Sequence, residues 1–224
     1  MTTFALVPGA CLGGAAWSRV AALLRAGGHD VHALTLTGLG ERAHLATPET
    51  NLDTHITDVI ATLAAHDLTD VVLVGHSYAG AVVGGVADRA PERLSRVIYL
   101  DALVPQDGVS LFDAGGPEYR AAMEAAANGG RRIPFMTDEQ LDAYYGRHDL
   151  TPAQRAWIRA HDAGHPIGTF EQAIAIGAPK VPRRYLNCTR CPSPAPAWDD
   201  VAELDAGHWP MFTAPEALAA ALTA

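Results

Sequence analysis

A chain of 224 residues is long enough for one sizeable hydrophobic core and short for two domains. Apolar residues make up 49% of it and its mean hydropathy is +0.06, which excludes an intrinsically disordered protein. The formal net charge of −9 argues against nucleic acid as a partner. No apolar run approaches the ~20 residues of a membrane-spanning helix, so we expect one globular domain, 1–224, that binds neither nucleic acid nor a membrane.

The cysteine content and the first residues bear on the compartment. Three cysteines are a small and odd number, which favours a reducing compartment over a disulfide framework. The first ten residues, MTTFALVPGA, lack the basic region that precedes the apolar stretch of a secretory signal. We therefore expect a cytoplasmic protein. We further expect it to be monomeric or homodimeric and to act on a small molecule.

Strands and helices alternate in the first hundred residues. Short apolar or alternating runs predict the strands, and apolar residues at helical spacing predict the helices. The predicted strands are 4–7, 30–36, 70–75 and 96–100, and the predicted helices are 15–26, 53–65 and 79 to about 89. Helices between buried strands indicate a parallel sheet with right-handed crossovers and a site at the carboxyl ends of the strands.

The pattern changes after about residue 105. Residues 105–178 hold prolines, glycines, short helical stretches and scattered aromatic side chains, and they predict no strand. We interpret this segment as a mostly helical cap inserted over the carboxyl edge of the sheet, where it forms a substrate wall. Strands return at 183–188 and 201–204, and a helix follows at 214–222. The predicted fold is therefore α/β, with about six mostly parallel strands flanked by helices.

The segment VVLVGHSYAG, residues 71–80, predicts a nucleophile. An apolar run ends in Gly75, His76 and Ser77, and small residues typical of a closely packed helix follow. At such a strand–turn–helix the serine hydroxyl is exposed on a strained turn, with the next backbone N–H beside it. Ala79 stands where the G-x-S-x-G pattern has its second glycine, and it is small enough for close packing. The alternative is a buried strand with an incidental Gly-His-Ser turn.

A histidine near the end of the chain is the predicted base for this serine. His208 follows the last predicted strand, so the order along the chain is serine first and histidine last. The predicted oxyanion donors are the backbone N–H groups of Ala10, in the loop after the first strand, and Tyr78. The predicted substrate-binding residues are Cys11, His165 and Trp209.

The other histidines are given no catalytic role. His76, next to the serine, is predicted to pack inside the protein. The rest are expected on surfaces or in loops: His29, His32, His44, His55, His66, His148 and His161.

Three alternatives stand for the acid that orients the histidine. The usual place is the loop after strand 183–188, but its sequence TRCPSPAPAW holds no carboxylate. Asp101 is the preferred candidate, since it ends the strand next to the nucleophile strand and can reach the histidine from there. Asp199 or Asp200, at the end of the loop, is the second alternative, and a site without an acid is the third.

No motif in the chain indicates a cofactor or a metal. Neither G-x-x-x-x-G-K nor G-x-G-x-x-G is present. Cys188 and Cys191 form a C-x-x-C pair, but zinc needs two more ligands, and thioredoxin-like chemistry needs the pair at the start of a helix. We therefore predict no cofactor and no metal.

Several segments together resemble one group of enzymes. The chain is similar to bacterial α/β-hydrolases that include pyrethroid-hydrolysing carboxylesterases, with plant methylesterases and hydroxynitrile lyases as more distant relatives. The matching segments are LVPGACLGGAAW, LTGLGERAHLATPETNLDTHI, DVVLVGHSYAG, VIYLDALVPQDG, HPIGTFEQ and DAGHWPMFTAPEAL. The resemblance implies a serine esterase with a Ser77–His208 pair and backbone donors at Ala10 and Tyr78. It also favours Asp101 as the acid, since some haloalkane dehalogenases of similar fold carry theirs at this strand end.

The chain departs from the group at three places. Pro8 stands where such enzymes often have histidine, and it stiffens the loop and lacks an N–H. The stretch between Cys191 and Trp198 is shorter than in the group, where the usual acid and some pocket wall lie. Trp209 stands where hydroxynitrile lyases have lysine, which argues against cyanohydrin cleavage.

Three functions follow as hypotheses. The first is a cofactor-free carboxylic ester hydrolase that forms an acyl–Ser77 intermediate on a small hydrophobic ester. The second is a lyase or cyclase that uses His208 as an acid and base on a natural-product intermediate, without acylation. The third is a non-catalytic binding protein on a hydrolase scaffold.

Overall fold

The computed structural model describes residues 1–146, 148–191 and 194–224. Its strands, in chain order, are β1 (Thr3–Val7), β2 (Asp30–Ala33), β3 (Val71–His76), β4 (Leu94–Leu100), β5 (Arg132–Ile133), β6 (His165–Pro166), β7 (Arg183–Cys188) and β8 (Val201–Leu204). Its α-helices are α1 (Ser18–Ala26), α2 (Leu52–Ala65), α3 (Ala79–Arg89), α4 (Leu111–Ala126), α5 (Asp138–Tyr145), α6 (Pro152–His161), α7 (Gly168–Glu171), α8 (Pro210–Thr213) and α9 (Pro215–Thr223).

Six of these strands form one parallel sheet in the order β2-β1-β3-β4-β7-β8. This confirms the predicted α/β class with a six-stranded sheet. Because β3 lies between β1 and β4, the residue that follows β3 emerges in the middle of the carboxyl edge. The predicted second strand, 30–36, ends three residues early at Ala33, since its partner β1 ends at Val7.

The sheet is buried on both faces, as parallel sheets are. Successive side chains of β1 point to opposite faces, so that Phe4 and Leu6 pack in one cluster and Ala5 and Val7 in the other. Helices α2 and α3 contribute to the cluster around Ala5. Helices α1 and α9 contribute to the cluster around Phe4. The sheet therefore holds the ends of its strands in fixed positions.

The segment between β4 and β7 is mostly helical, but it also contains a short ladder. Strands β5 and β6 pair antiparallel, with Arg132 opposite Pro166 and Ile133 opposite His165. The prediction of no strand between residues 105 and 178 was therefore wrong. Two residues per strand are too few to produce an alternating pattern in the sequence.

Helix α4 changes direction in its first half. Gly116 has a φ of 81° and Pro117 follows it, so the helical hydrogen bonding is interrupted there. Side chains of this helix, among them Tyr119 and Met123, face a cavity at the carboxyl edge of the sheet. In the described parts of the chain, no helix is both long enough and apolar enough to cross a membrane.

Candidate active site

Ser77 lies on a tight turn between β3 and α3. Its φ of 54° is in the left-handed region, which a non-glycine residue adopts at a cost. The turn requires close packing on both sides: a Cβ on Gly75 would come within 2.7 Å of Val83, and one on Gly80 within 1.9 Å of the Leu103 carbonyl oxygen. Gly80, one position later than the pattern requires, is thus the glycine that admits a neighbouring backbone.

The structure brings Ser77, His208 and Asp101 together at this edge. The Oγ of Ser77 lies 2.9 Å from Nε2 of His208, and the Nδ1 of His208 lies 2.5 Å from Oδ2 of Asp101. Asp101 directly follows β4 with a φ of 41°, and its N–H donates to the Leu186 carbonyl of β7. Its side chain is 1% exposed. This arrangement can move a proton from the serine to the histidine while the carboxylate holds the ring.

The other two candidate acids lie elsewhere. Asp200 accepts a hydrogen bond from Nε of Arg184 at 2.8 Å, and its side chain is 44% exposed. Asp199 is exposed. The geometry therefore favours Asp101 among the three alternatives drawn from the sequence.

Burial and hydrogen bonding act in opposite directions on the Asp101 carboxyl. Burial raises its pKa, whereas the hydrogen bond and positive charge of His208 lower it, and the net pKa lies below the ordinary value. Asp101 is therefore ionised at neutral pH, as a group that stabilises an imidazolium must be.

Aromatic rings hold the imidazole of His208 on three sides. Tyr145 of α5 stacks on it with centroids 4.6 Å apart, and Trp209 meets it edge-on at 4.7 Å. The His76 ring lies 4.7 Å away, and its Nε2 donates to the His208 carbonyl oxygen at 2.7 Å. Burial lowers the pKa of His76 to about 3, so this neighbour is neutral and does not repel the imidazolium. The stacking of Tyr145 was not predicted, because it depends on how the segment between β4 and β7 folds back.

The residues of the predicted oxyanion donors line the same cavity as Ser77. Ala10 and Tyr78 both line the cavity, and neither backbone N–H donates a hydrogen bond to another described residue. The next N–H along the first loop is occupied, because that of Cys11 donates to Nδ1 of His165 at 3.1 Å. Two N–H groups of residues that line this cavity are therefore available to bind an oxyanion.

His165 takes part in this arrangement from a fully buried position. Its Nδ1 accepts the Cys11 N–H, so its Nε2 carries the proton and donates to Oγ1 of Thr169 at 2.9 Å. Both ring nitrogens are therefore used inside the protein, although the ring borders the cavity. Burial holds the pKa of His165 well below its usual value, which keeps it a neutral acceptor.

His55 lies next to this group, and its predicted place on a surface or in a loop was wrong. It is 0% exposed, and its Nδ1 accepts the Tyr78 hydroxyl at 2.8 Å while its Nε2 donates to the Thr37 carbonyl. The spacing Leu52, His55, Ile56 places it on the apolar stripe of α2, which was the signal in the sequence. His148 is also buried, where its Nδ1 accepts the Leu150 N–H.

The loop that carries His208 is tied to two other segments. Arg190, after β7, binds both carboxylate oxygens of Asp205 at 2.8 and 2.9 Å and contacts Asp149 at 3.1 Å. Asp149 in turn accepts the Gly207 N–H at 2.9 Å. These exposed pairs contribute little energy singly, but together they fix the position of the histidine loop.

A cavity of about 600 Å³ opens above Ser77 and His208. Its lining is mainly apolar and aromatic and comes largely from the segment between β4 and β7. The predicted substrate-binding residues Cys11, His165 and Trp209 all border it. Its other phenylalanine and tyrosine residues are Tyr78, Tyr119, Phe135, Tyr144, Tyr145, Phe170 and Tyr185. Such a cavity suits a small, largely hydrophobic ligand.

Comparison with known protein families gives one match over nearly the whole chain. The family described as "Alpha/beta hydrolase family" matches residues 4–221. The match agrees with the sheet order and with the resemblance seen in the sequence.

Individual relatives cover the chain from end to end. The carbendazim-hydrolysing esterase of Nocardioides sp. (strain SG-4G) is 34% identical, and the match covers 100% of this chain and 99% of that protein. The pyrethroid hydrolase of Sphingobium wenxiniae is 27% identical, with 99% and 86% covered. Among solved structures, an extracellular alpha/beta-hydrolase from a Paenibacillus species has a TM-score of 0.85 at 23% identity, covering 100% of this chain and 98% of that one.

Proposed function

Because the chain belongs to the alpha/beta hydrolase family, we propose that it is a serine carboxylic ester hydrolase that acts through an acyl–Ser77 intermediate. The observation that carries the proposal is the continuous contact from Ser77 Oγ through His208 to the Asp101 carboxylate at the foot of an apolar cavity. That two relatives are named an esterase and a hydrolase supports the same reaction.

The proposed reaction begins with attack by Ser77. Nε2 of His208 takes the hydroxyl proton as Oγ bonds to the ester carbonyl carbon, and the ionised Asp101 stabilises the imidazolium. The backbone N–H groups of Ala10 and Tyr78 bind the oxyanion, each stabilising the transition state by roughly 3–4 kcal/mol. His208 then gives the proton to the leaving alcohol.

Deacylation repeats these steps with water. His208 takes a proton from water, the hydroxide attacks the acyl carbon, and the carboxylic acid leaves as Oγ of Ser77 regains a proton. No step needs a cofactor. The aromatic cavity supports small hydrophobic esters as the substrate class, because such a wall stabilises apolar acyl or alkoxy groups by removing them from water.

The lyase or cyclase hypothesis is less well supported. It was motivated by the missing acid in the loop after β7 and by Pro8 in the first loop, and a carboxylate at the end of β4 lies 2.5 Å from the histidine.

A fluorophosphonate probe together with a set of p-nitrophenyl esters tests the proposal. We expect the native protein to be labelled once, at Ser77, and to hydrolyse short and medium esters. Ser77→Ala should lose both the labelling and the hydrolysis. Ser18→Ala, at an exposed serine of α1, should keep the labelling and the hydrolysis of the native protein. Absence of labelling and of hydrolysis in the native protein would count against acyl chemistry.

A further inference from the structure

Three potential metal-binding side chains meet beside the catalytic histidine. A carboxylate oxygen of Asp101, Sγ of Cys191 and Nδ1 of His208 lie within 4.8 Å of one another. Sγ of Cys191 is 3.9 Å from Nδ1 of His208. The three come from the end of β4, the loop after β7 and the loop after β8. The proposed hydrolysis makes no use of the cysteine.

A second observation points to a ligand at this place. Oδ2 of Asp101 contacts His208, and a hydrogen bond from the Cys191 side chain helps to lower the pKa of the same carboxyl. Oδ1 is buried and has no oxygen or nitrogen donor within hydrogen-bond distance among the described residues. A thiol is only a weak donor to a buried carboxylate, and a cation that replaces the thiol proton satisfies the carboxylate better. Cys188, the other cysteine of the C-x-x-C pair, is fully buried in β7 and is not part of the cluster.

We propose that Asp101, Cys191 and His208 form an inhibitory site for a thiophilic divalent cation of the Zn²⁺ type. Thiolate, imidazole and carboxylate are the ligand types that zinc binds, and water completes the tetrahedron. The sulfur and nitrogen ligands select Zn²⁺, Co²⁺ and Cd²⁺ over Mg²⁺ and Ca²⁺.

The distances show which contact a bound metal must displace. Two N or O ligands on one tetrahedral zinc lie about 3.3 Å apart, and an S and an N ligand about 3.6 Å apart, from the usual bond lengths. The Cys191–His208 distance of 3.9 Å is already close to this. The Asp101–His208 distance of 2.5 Å is too short, so the carboxylate and the ring must separate to admit the metal. Binding therefore competes with the hydrogen bond that the catalytic pair makes.

The metal switches off the base by changing the tautomer. A bond forms between Nδ1 of His208 and the metal, and the hydrogen bond from Nδ1 to Asp101 is lost. The single proton of the neutral ring then resides on Nε2, which faces Ser77 and can no longer accept the serine proton. The Cys191 thiol releases its proton to solvent, and no group is oxidised or reduced.

Cobalt tests the site without any assay of activity. We expect Co²⁺ added to the full chain to produce thiolate-to-cobalt charge transfer and the visible bands of tetrahedral cobalt. The bands should be absent in Cys191→Ala and in the nearly isosteric Cys191→Ser, and present in Cys188→Ala. Absence of the bands in the native protein, or their persistence in both Cys191 variants, overturns the proposal.

Inhibition of ester hydrolysis is the second readout, and it rests on the proposed function. Zn²⁺ should inhibit the native enzyme, and a chelator should restore its activity. In Cys191→Ser the concentration for half inhibition should rise at least about tenfold, measured against that variant's own metal-free rate, while Cys188→Ala behaves as the native enzyme does. Equal inhibition of all three enzymes means that the metal binds elsewhere and overturns the site.

The two readouts separate this site from the proposed function. A cobalt spectrum that depends on Cys191, in a protein without esterase activity, supports the metal site and contradicts the ester hydrolase. Esterase activity in a protein that gives no such spectrum supports the ester hydrolase and contradicts the metal site.

Discussion

Oδ2 of Asp101 lies 2.5 Å from Nδ1 of His208 across 107 positions of the chain, and the contact runs from the end of β4 to the loop after β8. Strands β4 and β8 are separated in the sheet by β7, so the histidine loop reaches back over one strand. The carboxylate is thus brought to the histidine by sheet order, because it follows β4 and does not come from the loop after β7.

This contact predicts a large effect of Asp101→Asn. An amide in place of the carboxylate favours the wrong tautomer of His208, and the equivalent change in serine proteases lowers kcat about 10⁴-fold. We expect a loss of similar order in the hydrolysis of p-nitrophenyl esters, with little change in KM. Asp200→Asn is the matched control and should stay near the native rate, because Asp200 pairs with Arg184. An equal loss in both variants would point away from Asp101 as the acid.

The buried His165 predicts an effect on turnover rather than on substrate affinity. His165→Phe removes the acceptor of the Cys11 N–H and loosens the loop that carries the Ala10 donor. A buried N–H left without a partner costs about 1–3 kcal/mol of local stability. Since loss of one oxyanion donor lowers kcat by about 10²–10³, we expect a displaced Ala10 donor to lower kcat about tenfold or more. His161→Phe, at an exposed histidine of α6, should change neither constant. If His165 instead contacts substrate directly, KM should rise while kcat holds.

His55 predicts how the stability of the protein changes with pH. Burial is the main reason that its pKa falls to about 4; Asp58 and the Thr37 carbonyl raise it, and Arg42 lowers it. It also contacts Tyr78 and His165, which are uncharged at these pH values. Because the unfolded chain binds this proton near pH 6.5 and the folded protein does not, stability is full above pH 6.5 and is lost as pH falls towards 4. The loss amounts to about 3 kcal/mol.

Denaturant unfolding at several pH values measures the contribution of His55 to the pH dependence of the free energy of unfolding. Relative to the native protein, His55→Gln should be less stable at pH 7 but should lose less stability between pH 6.5 and 4. His66→Gln, at an exposed histidine, should keep the native pH dependence. A native slope in His55→Gln would show that another group carries the effect.

The tight turn at Ser77 predicts that substitution of one glycine lowers Tm much more than substitution of another. In Gly80→Ala the new Cβ would lie 1.9 Å from the Leu103 carbonyl oxygen, so the backbone has to shift. Overpacking of this kind costs about 1–3 kcal/mol, or a fall of several degrees in Tm for a chain of this size. In Gly177→Ala the Cβ would meet Asp88 at 3.4 Å, an ordinary contact, and Tm should stay close to native. Equal melting temperatures of the two variants in a thermal scan would contradict the close packing at the turn between β3 and α3.

The sequence predicted the features that depend on local pattern. Strands β7 and β8 were predicted with their observed bounds, since each is bordered by proline or a turn. The tight turn at Ser77 was predicted because a buried strand, the serine and a helix of small residues follow one another directly in the sequence. The β5–β6 ladder was missed, since its two short strands are paired by contacts more than thirty residues apart.

The unpredicted parts of the site come from loops that meet only in three dimensions. Cys191 lies beside Asp101 and His208, yet nothing within its own loop indicates those neighbours. Tyr145 stacks on His208 because α5 folds over the sheet, and an aromatic residue near a helix end has no such signal in the sequence. His55 differs, because its position on the apolar stripe of α2 was there to be read.

Because the carboxylate follows β4, residues 194–198 of the loop after β7 are freer to change than Arg190 and Cys191 of the same loop, which contact the histidine loop and the catalytic pair. Proline side chains of that loop, Pro194 and Pro196, border the cavity. In the mechanism proposed here, none of the loop's own side chains takes or gives a proton. Insertions and substitutions there can therefore reshape the substrate wall while the proton-transfer machinery stays intact. Libraries confined to residues 194–198 should change which esters are accepted at little cost in turnover, and natural diversification of the enzyme has the same route open to it.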